Sequence, residues 1–247
     1  METKKFLQRA LGEDGFYCMF ATLGSKDLRL QKFYDSIDAV LAKAKELDKD
    51  GYDAYFALAT FNDKGSRKVT NVKELKAFFL DLDCGPSKDY EDQREALSAL
   101  QKFCKKLDLP RPLLINSGRG VHVYWFLSEP VSMEEWLPVA ERLKQLCAEH
   151  NLLADPAVTA DAARVLRIPD THNHKTDPPT PVSFFGTDEP ETFPAVHIDV
   201  FKEYLGTELI PVPTKHIPFG SNAVMDALLG NNKNVFKDIV LKTHEGT

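Results

Sequence analysis

The sequence of 247 residues has only four cysteines, no long apolar run and no excess of basic residues. The cysteines, at positions 18, 84, 104 and 147, form no C-x-x-C pair, so neither a disulfide framework nor a zinc ribbon is expected. No apolar stretch approaches the roughly 20 residues that span a bilayer, and the N-terminal segment has no apolar signal core. We therefore expect a reduced, cytoplasmic protein without a membrane partner.

The net charge of −6 disfavours a protein whose main role is to grip nucleic acid, because phosphate neutralisation needs clustered Lys and Arg. A basic cluster nevertheless precedes the most informative strand of the sequence. Its members are Lys64, Arg67, Lys68, Lys73 and Lys76. Such a cluster is either a solvated face or a contact surface for phosphates, and the sequence leaves both readings open.

Apolar periodicity and turn residues divide the chain into alternating helices and strands. Helices are predicted over residues 28–47 and 87–107 and after the S-x-x-E capping box of Ser132 and Glu135, where Pro138 is expected to delay the regular helix. Strands are predicted over residues 54–61, 77–83, 111–117, 121–127 and 165–168.

From residue 77 onward the order is strand, helix, strand, strand, helix, strand. This order predicts an α+β fold with a ferredoxin-like or RRM-like split β-α-β sheet core and an N-terminal α/β extension. Two helices are expected to cover one sheet face and to leave the other free for chemistry. Residues 1–205 are expected to form one domain, and the proline-containing segment 206–247 a linker with a short helical tail.

Asp81 and Asp83 end the apolar segment FFLDLD. Side chains alternate along a strand, so both carboxylates are expected on one side, with Leu80 and Leu82 in the core. Two adjacent carboxylates are costly unless a cation neutralises them. Oxygen ligands favour Mg²⁺ or Mn²⁺ over zinc, and paired ions of this type can activate a hydroxyl and stabilise a leaving pyrophosphate. A D-x-D pair can equally end a strand at a turn, so the motif alone does not decide.

A second candidate segment is SGRGVHVYW, residues 117–125. Its small residues allow close approach of backbone to a phosphate. Alternation places His122 with Tyr124 and Phe126 on one face, so His122 can look toward the two aspartates. A lone histidine in a strand is more often a core residue, but the adjoining glycine turn and the aspartate strand favour a functional role here.

The third candidate segment, residues 154–175, carries cations and further carboxylates. Arg164, Arg167 and Lys175 can bind a triphosphate, which needs cations beside the metal. Within the same segment, His172 and His174 form an H-x-H pair that could bind a metal. A polar-loop role is favoured for this pair because no third ligand is apparent nearby.

Taken together and in this order, the three segments resemble motifs of the archaeo-eukaryotic primase superfamily, especially the primase-polymerases of phages and plasmids. FFLDLD resembles the metal-binding motif, Gly120-Val121-His122 the nucleotide motif, and RVLRIPDTHNHK the phage-type R-x-x-R-x-P-G-T-x-N-x-K stretch. The resemblance covers roughly residues 50–180. Asp170 stands where that pattern usually has glycine, which puts a negative charge near the arginines.

The resemblance implies that residues 1–205 form a primase-polymerase catalytic domain that uses Mg²⁺ or Mn²⁺ in a bacterial or phage setting. Asp81 and Asp83 would bind metal with Asp155, or with Asp161 as the alternative third carboxylate. The residues implied in catalysis or nucleotide binding also include Ser117, Arg119, Gly120, His122, Arg164, Arg167 and Lys175. The implied partners are a single-stranded DNA template, nucleoside triphosphates and a helicase domain or protein.

Two other functions fit parts of the sequence. A nucleotide-sugar glycosyltransferase also uses a D-x-D metal site, but this reading leaves His122 and the arginine pair without a role. A non-catalytic sheet could bind single-stranded nucleic acid through exposed aromatics such as Tyr124 and Phe126. Coupled binding of metal and nucleotide separates the enzyme functions from the binding module.

Overall fold

A computed structural model describes residues 2–24, 28–186 and 188–206, and these residues form a mixed α+β structure. The helices in these ranges are α1 Glu2–Ala10, α2 Ile37–Lys49, α3 Gln93–Leu107, α4 Met133–Glu149, α5 Pro156–Thr159 and α6 Ile198–Tyr204. The strands are β1 Phe16–Leu23, β2 Leu28–Tyr34, β3 Asp53–Phe61, β4 Val72–Leu82, β5 Leu113–Asn116, β6 Val121–Val131, β7 Val165–Arg167, β8 Thr171–Asn173, β9 Thr180–Phe184 and β10 Ala195–Val196. The linker and tail predicted after residue 206 lie outside the described residues.

One curled sheet organises the described part of the chain. Its strands run in the order β2-β1-β3-β4-β6-β5-β9-β8, with β7 paired to β3 and β10 to β6. The neighbours along this path are antiparallel. The predicted α+β fold and its split core are confirmed, since β4-α3-β5-β6-α4-β7 has the expected order. The strand after α4 pairs with β3, which brings residues 165–167 beside the N-terminal extension.

Helices cover both faces of the sheet. On one face, the rings of Trp136 in α4 and Phe201 in α6 stack on Phe78 of β4. On the other face, Phe6 of α1 makes edge contacts with Tyr124 of β6 and Phe56 of β3. The expectation of a free second face is therefore wrong where the N-terminal helix covers it. The end of the sheet that carries Asp81 opens into a cleft.

The predicted helix over residues 28–47 is wrong in its first part. Residues Leu28–Tyr34 form β2, which pairs with β1 from Leu23↔Leu28 to Tyr17↔Tyr34. The helix begins only after Ser36, whose side chain accepts a hydrogen bond from the backbone N–H of Ala39. Pairing with β1 gives the backbone groups of the exposed residues 28–32 hydrogen-bond partners in a neighbouring strand. In a helix the same groups would bond only to residues three or four positions away.

The capping box of α4 is confirmed, and the position of its first turn corrects one expectation. The side chains of Ser132 and Glu135 exchange hydrogen bonds with each other's backbone N–H groups. Helix α4 begins at Met133 and contains Pro138, so the proline does not delay the start. None of the helices in the described ranges has the length and apolar character that crossing a bilayer requires.

Candidate active site

The strand register places Asp81 directly opposite His122. Strands β4 and β6 pair antiparallel, with Asp81↔His122 between Leu80↔Val123 and Leu82↔Val121. Directly opposed residues project from the same face, so both side chains point into the open end of the sheet. Leu80 and Leu82 are fully buried, as the alternation predicted. The side chain of Asp81 is 21% exposed and that of His122 is 4% exposed.

Asp83 follows β4 and faces the same cleft as Asp81. Its Oδ2 lies 2.7 Å from the ammonium group of Lys88, which belongs to the loop between β4 and α3. This ion pair is exposed on both sides, so it is weak and easily exchanged for another cation. The carboxylate of Asp83 is therefore accessible to a metal ion.

A backbone hydrogen bond brings Asp155 to the same place. The N–H of Asp155 donates to the carbonyl oxygen of Asp81 at 2.9 Å, so the two residues are neighbours although 74 positions separate them. Asp155 also caps α5, and its Oδ2 lies 3.6 Å from Arg164. Asp161 lines the cleft as well, where its side chain accepts from the N–H of Ala163 at 2.9 Å.

The carboxylates perturb each other. Burial raises the pKa of Asp81 to about 7, and the negative charges of Asp83 and Asp155 act in the same direction. Arg164 and Arg167 lower it by less than these effects raise it. Burial and two neighbouring carboxylates thus make the ionised form of Asp81 costly, and a divalent cation bound beside it would offset that cost.

His122 is neutral at physiological pH. Burial, helped by the positive charge of Arg167, lowers the pKa of His122 to about 3. Its Nε2 lies 3.9 Å from Asp81 Oδ1, beyond hydrogen-bonding distance, and its buried Nδ1 has no partner among the described residues. A neutral imidazole held rigidly at a cleft can donate one hydrogen bond to a ligand oxygen.

The turn between β5 and β6 packs closely against two segments, the end of β4 before Asp83 and the end of β8 at Asn173. A Cβ atom on Gly120 would lie 2.3 Å from the carbonyl oxygen of Leu82, and one on Gly118 would lie 2.7 Å from Asn173 Cβ. Gly118 also has a φ of +90°. Gly120 was predicted to contact nucleotide; in the structure its missing side chain lets the hairpin pack against the end of β4.

The predicted cations surround the carboxylates, but they differ in what they contact. Arg167 is buried and pairs with Asp53 of β3, with 2.5 Å between Nη1 and Oδ1. The guanidinium of Arg167 also lies over the ring of Tyr55. Arg119 donates to the backbone carbonyl of Lys175 at 2.7 Å, which joins the hairpin to the segment after β8.

These side chains line one cleft of about 410 Å³, which we call the Asp81 cleft. The predicted residues in its wall are Asp81, Asp83, Ser117, Arg119, His122, Asp155, Asp161, Arg164, Arg167 and Lys175. The structure thus brings together all the predicted site residues except Gly120, which packs behind the wall.

Sequence reasoning missed several residues of this wall. Tyr55, Arg67 and Asn173 line the Asp81 cleft but were not assigned to it. Arg67 belongs to the basic cluster that the sequence left open, and its guanidinium donates to the carbonyl of Ala163. Asn173 donates to the carbonyl of Ser117 at 3.0 Å, and its place in the T-x-N-x-K stretch was the available signal.

The aromatic residues proposed for base stacking are not accessible. Tyr124 and Phe126 are almost completely buried under α1. Stacking on a base needs an exposed ring face. These two residues therefore cannot serve the binding-module function suggested by the alternation of β6.

The chain is similar in sequence to a replication protein. No protein-family model matches the chain. A replication protein of Clostridium perfringens is 32% identical in an alignment of 153 residues that covers 59% of this chain. The matched part spans 35% of that protein, about a third of its length.

The solved structures decide the fold. The AEP (archaeo-eukaryotic primase) domain of the cyanophage S-2L primase-polymerase matches with a TM-score of 0.56 at 16% identity, over 77% of this chain and 89% of that domain. The chain has the AEP primase fold. Primase RepB' matches with a TM-score of 0.51 at 15% identity, over 83% of this chain and 62% of that chain.

A second structure of RepB' has the same fold. The catalytic domain of RepB' in complex with initiator DNA matches with a TM-score of 0.50 at 14% identity, over 83% of this chain and 94% of that chain. The resemblance seen in the sequence motifs is thereby confirmed at the level of the fold. In this AEP fold, the Asp81 cleft lies where the three motif segments meet.

Proposed function

We propose that this chain is the nucleotidyltransferase domain of a primase-polymerase, which joins nucleotides to a 3′-hydroxyl on a single-stranded DNA template during replication. One observation carries the proposal: carboxylates, a buried neutral histidine and several cations line a single cleft in an AEP fold. The similarity to a replication protein supports the same biological setting.

Asp81, Asp83 and Asp155 are the residues that would hold Mg²⁺ or Mn²⁺. Burial, with the charges of Asp83 and Asp155, raises the pKa of Asp81, which supports a bound cation here, and oxygen donors suit these hard ions. Bound there, such ions would activate the 3′-hydroxyl and stabilise the leaving pyrophosphate. We favour Asp155 over Asp161 as the third ligand because its backbone bonds to Asp81 and its charge raises the pKa of Asp81.

The other residues of the Asp81 cleft would position the triphosphate. His122 is held neutral, so its Nε2 can donate a hydrogen bond to a phosphate oxygen while Asp81 stays ionised around a cation. Arg119, Arg164 and Lys175 would neutralise the phosphates. Arg167, held by its ion pair with Asp53, would contribute positive charge from the wall of the cleft. This is catalysis by positioning and charge neutralisation, as in phosphoryl transfer generally.

The template would occupy a second groove of about 630 Å³ that adjoins the Asp81 cleft. Lys88 and Arg119 line both, and Arg94 and Gln93 lie further along the groove. Lys and Arg at this boundary suit a phosphate backbone that leads toward the reacting 3′-end. A helicase domain or protein would supply the unwound strand.

Primer synthesis on a single-stranded template tests the proposal. Asp81→Ala/Asp83→Ala should lower product formation with Mn²⁺ or Mg²⁺ by at least about 100-fold, because the negative charge that holds the ions is lost. Asp89→Ala, which removes an exposed carboxylate from the same loop region, is the matched control. Full activity of the double variant would exclude the proposal, and template-independent turnover of sugar nucleotides would favour a glycosyltransferase.

A further inference from the structure

A second cluster of ligating side chains lies where α2 meets β8. Asp48, in the last turn of α2, faces His172 of β8 and the next histidine along the chain, His174. His172 Nδ1 lies 2.9 Å from one carboxylate oxygen of Asp48, and His174 Nε2 lies 3.0 Å from the other. We call these three residues the Asp48 cluster. It contains the third ligand that the sequence around the H-x-H pair did not show.

The backbone fixes the cluster in place. The side chains of both histidines turn toward Asp48, whereas Asn173 between them turns toward Ser117. The N–H of His172 donates to Asp48 Oδ1 at 2.7 Å, and the N–H of His174 donates to Asp53 Oδ1 at 2.8 Å. Little rearrangement separates this arrangement from a set of metal ligands.

The ligand atoms have the spacing and the chemistry of a zinc site. One atom from each of the three side chains lies within 4.8 Å of the others. Zinc–ligand bonds of about 2.0–2.2 Å hold ligand atoms up to roughly 4 Å apart, so small side-chain rotations suffice. Two imidazoles and a carboxylate suit zinc rather than magnesium.

Access to the cluster is also suitable. The side chain of His172 is 46% exposed, whereas Asp48 is 13% exposed. An ion can therefore enter from solvent and keep a water molecule as its fourth ligand. None of the three side chains lines the Asp81 cleft, so the cluster is separate from the carboxylates that would hold the catalytic ions.

We propose that Asp48, His172 and His174 bind one zinc ion that fastens β8 to the end of α2. Bound zinc would restrain the segment that carries Asn173 and Lys175, because its two histidine ligands lie on either side of Asn173. Asn173 in turn donates a hydrogen bond to Ser117 of the β5–β6 turn. The site is structural in effect and independent of the nucleotidyltransferase proposal.

Titration of the metal-free protein with Zn²⁺ alone, and with Co²⁺ alone, tests the site. We expect one bound equivalent of zinc and the visible absorption of tetrahedral cobalt. Asp48→Asn, His172→Gln and His174→Gln keep polar side chains for folding. Each should weaken binding by more than the roughly 10–100-fold typical of losing an outer-shell partner.

Two controls make the result specific. His197→Gln removes a histidine that also lies near two carboxylates, Glu129 at 3.9 Å and Asp199 at 3.5 Å, and should leave the affinity unchanged. Asp81→Ala/Asp83→Ala should also retain the bound zinc. Loss of zinc in this double variant would place the ion in the Asp81 cleft and overturn the proposal.

Hydrogen exchange gives a readout that needs no enzymatic activity. Zinc should slow exchange of the backbone amides of residues 171–174 in the wild type, and not in His172→Gln. Absence of zinc binding, or equal binding by the wild type and all three cluster variants, would show that the cluster is only a set of ion pairs.

Discussion

Burial gives Asp81 and His122 opposite responses to pH. The folded-state pKa of Asp81, about 7, is above the ordinary value of 3.8. Its contribution to stability is therefore full below about pH 4 and is lost as the pH rises through 7. The folded-state pKa of His122, about 3, is below the ordinary 6.5, so its contribution is present above pH 6.5 and is lost as the pH falls. The two trends partly cancel in the wild type.

The variant Asp81→Asn removes the pH dependence due to Asp81 and leaves that due to His122. In a chelator at pH 8 the variant should unfold at a temperature several degrees above the wild type, because it lacks a partly buried carboxylate that its neighbours repel. About 1 kcal/mol shifts the midpoint by roughly 2–4 °C in a domain of this size. The difference should shrink toward pH 5, where wild-type Asp81 is protonated. Thermal unfolding across this pH range checks it, and a pH-independent difference would show that Asp81 is not perturbed.

At the scale of elements, the β5–β6 hairpin packs unusually close to β4. The Ser117 hydroxyl accepts from the N–H of Gly120 at 3.1 Å, and the N–H of Ser117 donates to the carbonyl of Gly120 at 3.0 Å. This tight turn brings Gly120 against Leu82, and the strand that follows carries His122. The position of His122 relative to the aspartates therefore depends on the close approach of Gly120 to Leu82.

Gly120→Ala should lower the free energy of unfolding by about 1–3 kcal/mol, because its Cβ would overlap the Leu82 carbonyl and force the strands apart. The same shift should reduce primer synthesis. Gly24→Ala is the matched control, since its Cβ would meet nothing within 4 Å. Denaturant unfolding of both variants measures the difference. Equal stabilities would mean that the hairpin adjusts without moving β4.

For the whole molecule, the sheet assembles one cleft from segments far apart in sequence. Residues near positions 55, 81, 122, 155 and 173 meet there although the chain between them forms helices on both faces. Both negative and positive side chains line the wall. Such a cleft is expected to bind a cation and a polyphosphate together, because the positive charge of the cation and the negative charge of the phosphates attract each other.

Manganese and a nucleoside triphosphate should therefore stabilise the protein cooperatively. The rise in unfolding temperature with both present should exceed the sum of the rises with each alone. Asp83→Ala should remove this excess, while Asp89→Ala should retain it. Differential scanning fluorimetry over a concentration series measures it. Purely additive shifts would contradict a shared metal and nucleotide site.

The sequence by itself predicted most of the residues that line the Asp81 cleft and the elements that carry them. Local alternation predicted the strands around Asp81 and His122, since a buried strand with a polar end needs no distant information. The capping box likewise predicted α4, because both of its hydrogen bonds lie within four residues. The S-x-x-E and D-x-D patterns are local, so the structures that they predict do not depend on which distant residues pack against them.

Only the tertiary structure decided which distant residues meet. It turned residues 28–34 into a strand by pairing them with β1, and it covered Tyr124 and Phe126 with α1. It also brought Asp48 to His172 and His174 across more than 120 positions. The physical reason is that strand pairing and helix docking are settled by long-range burial and hydrogen bonding, which no local periodicity of this sequence encodes.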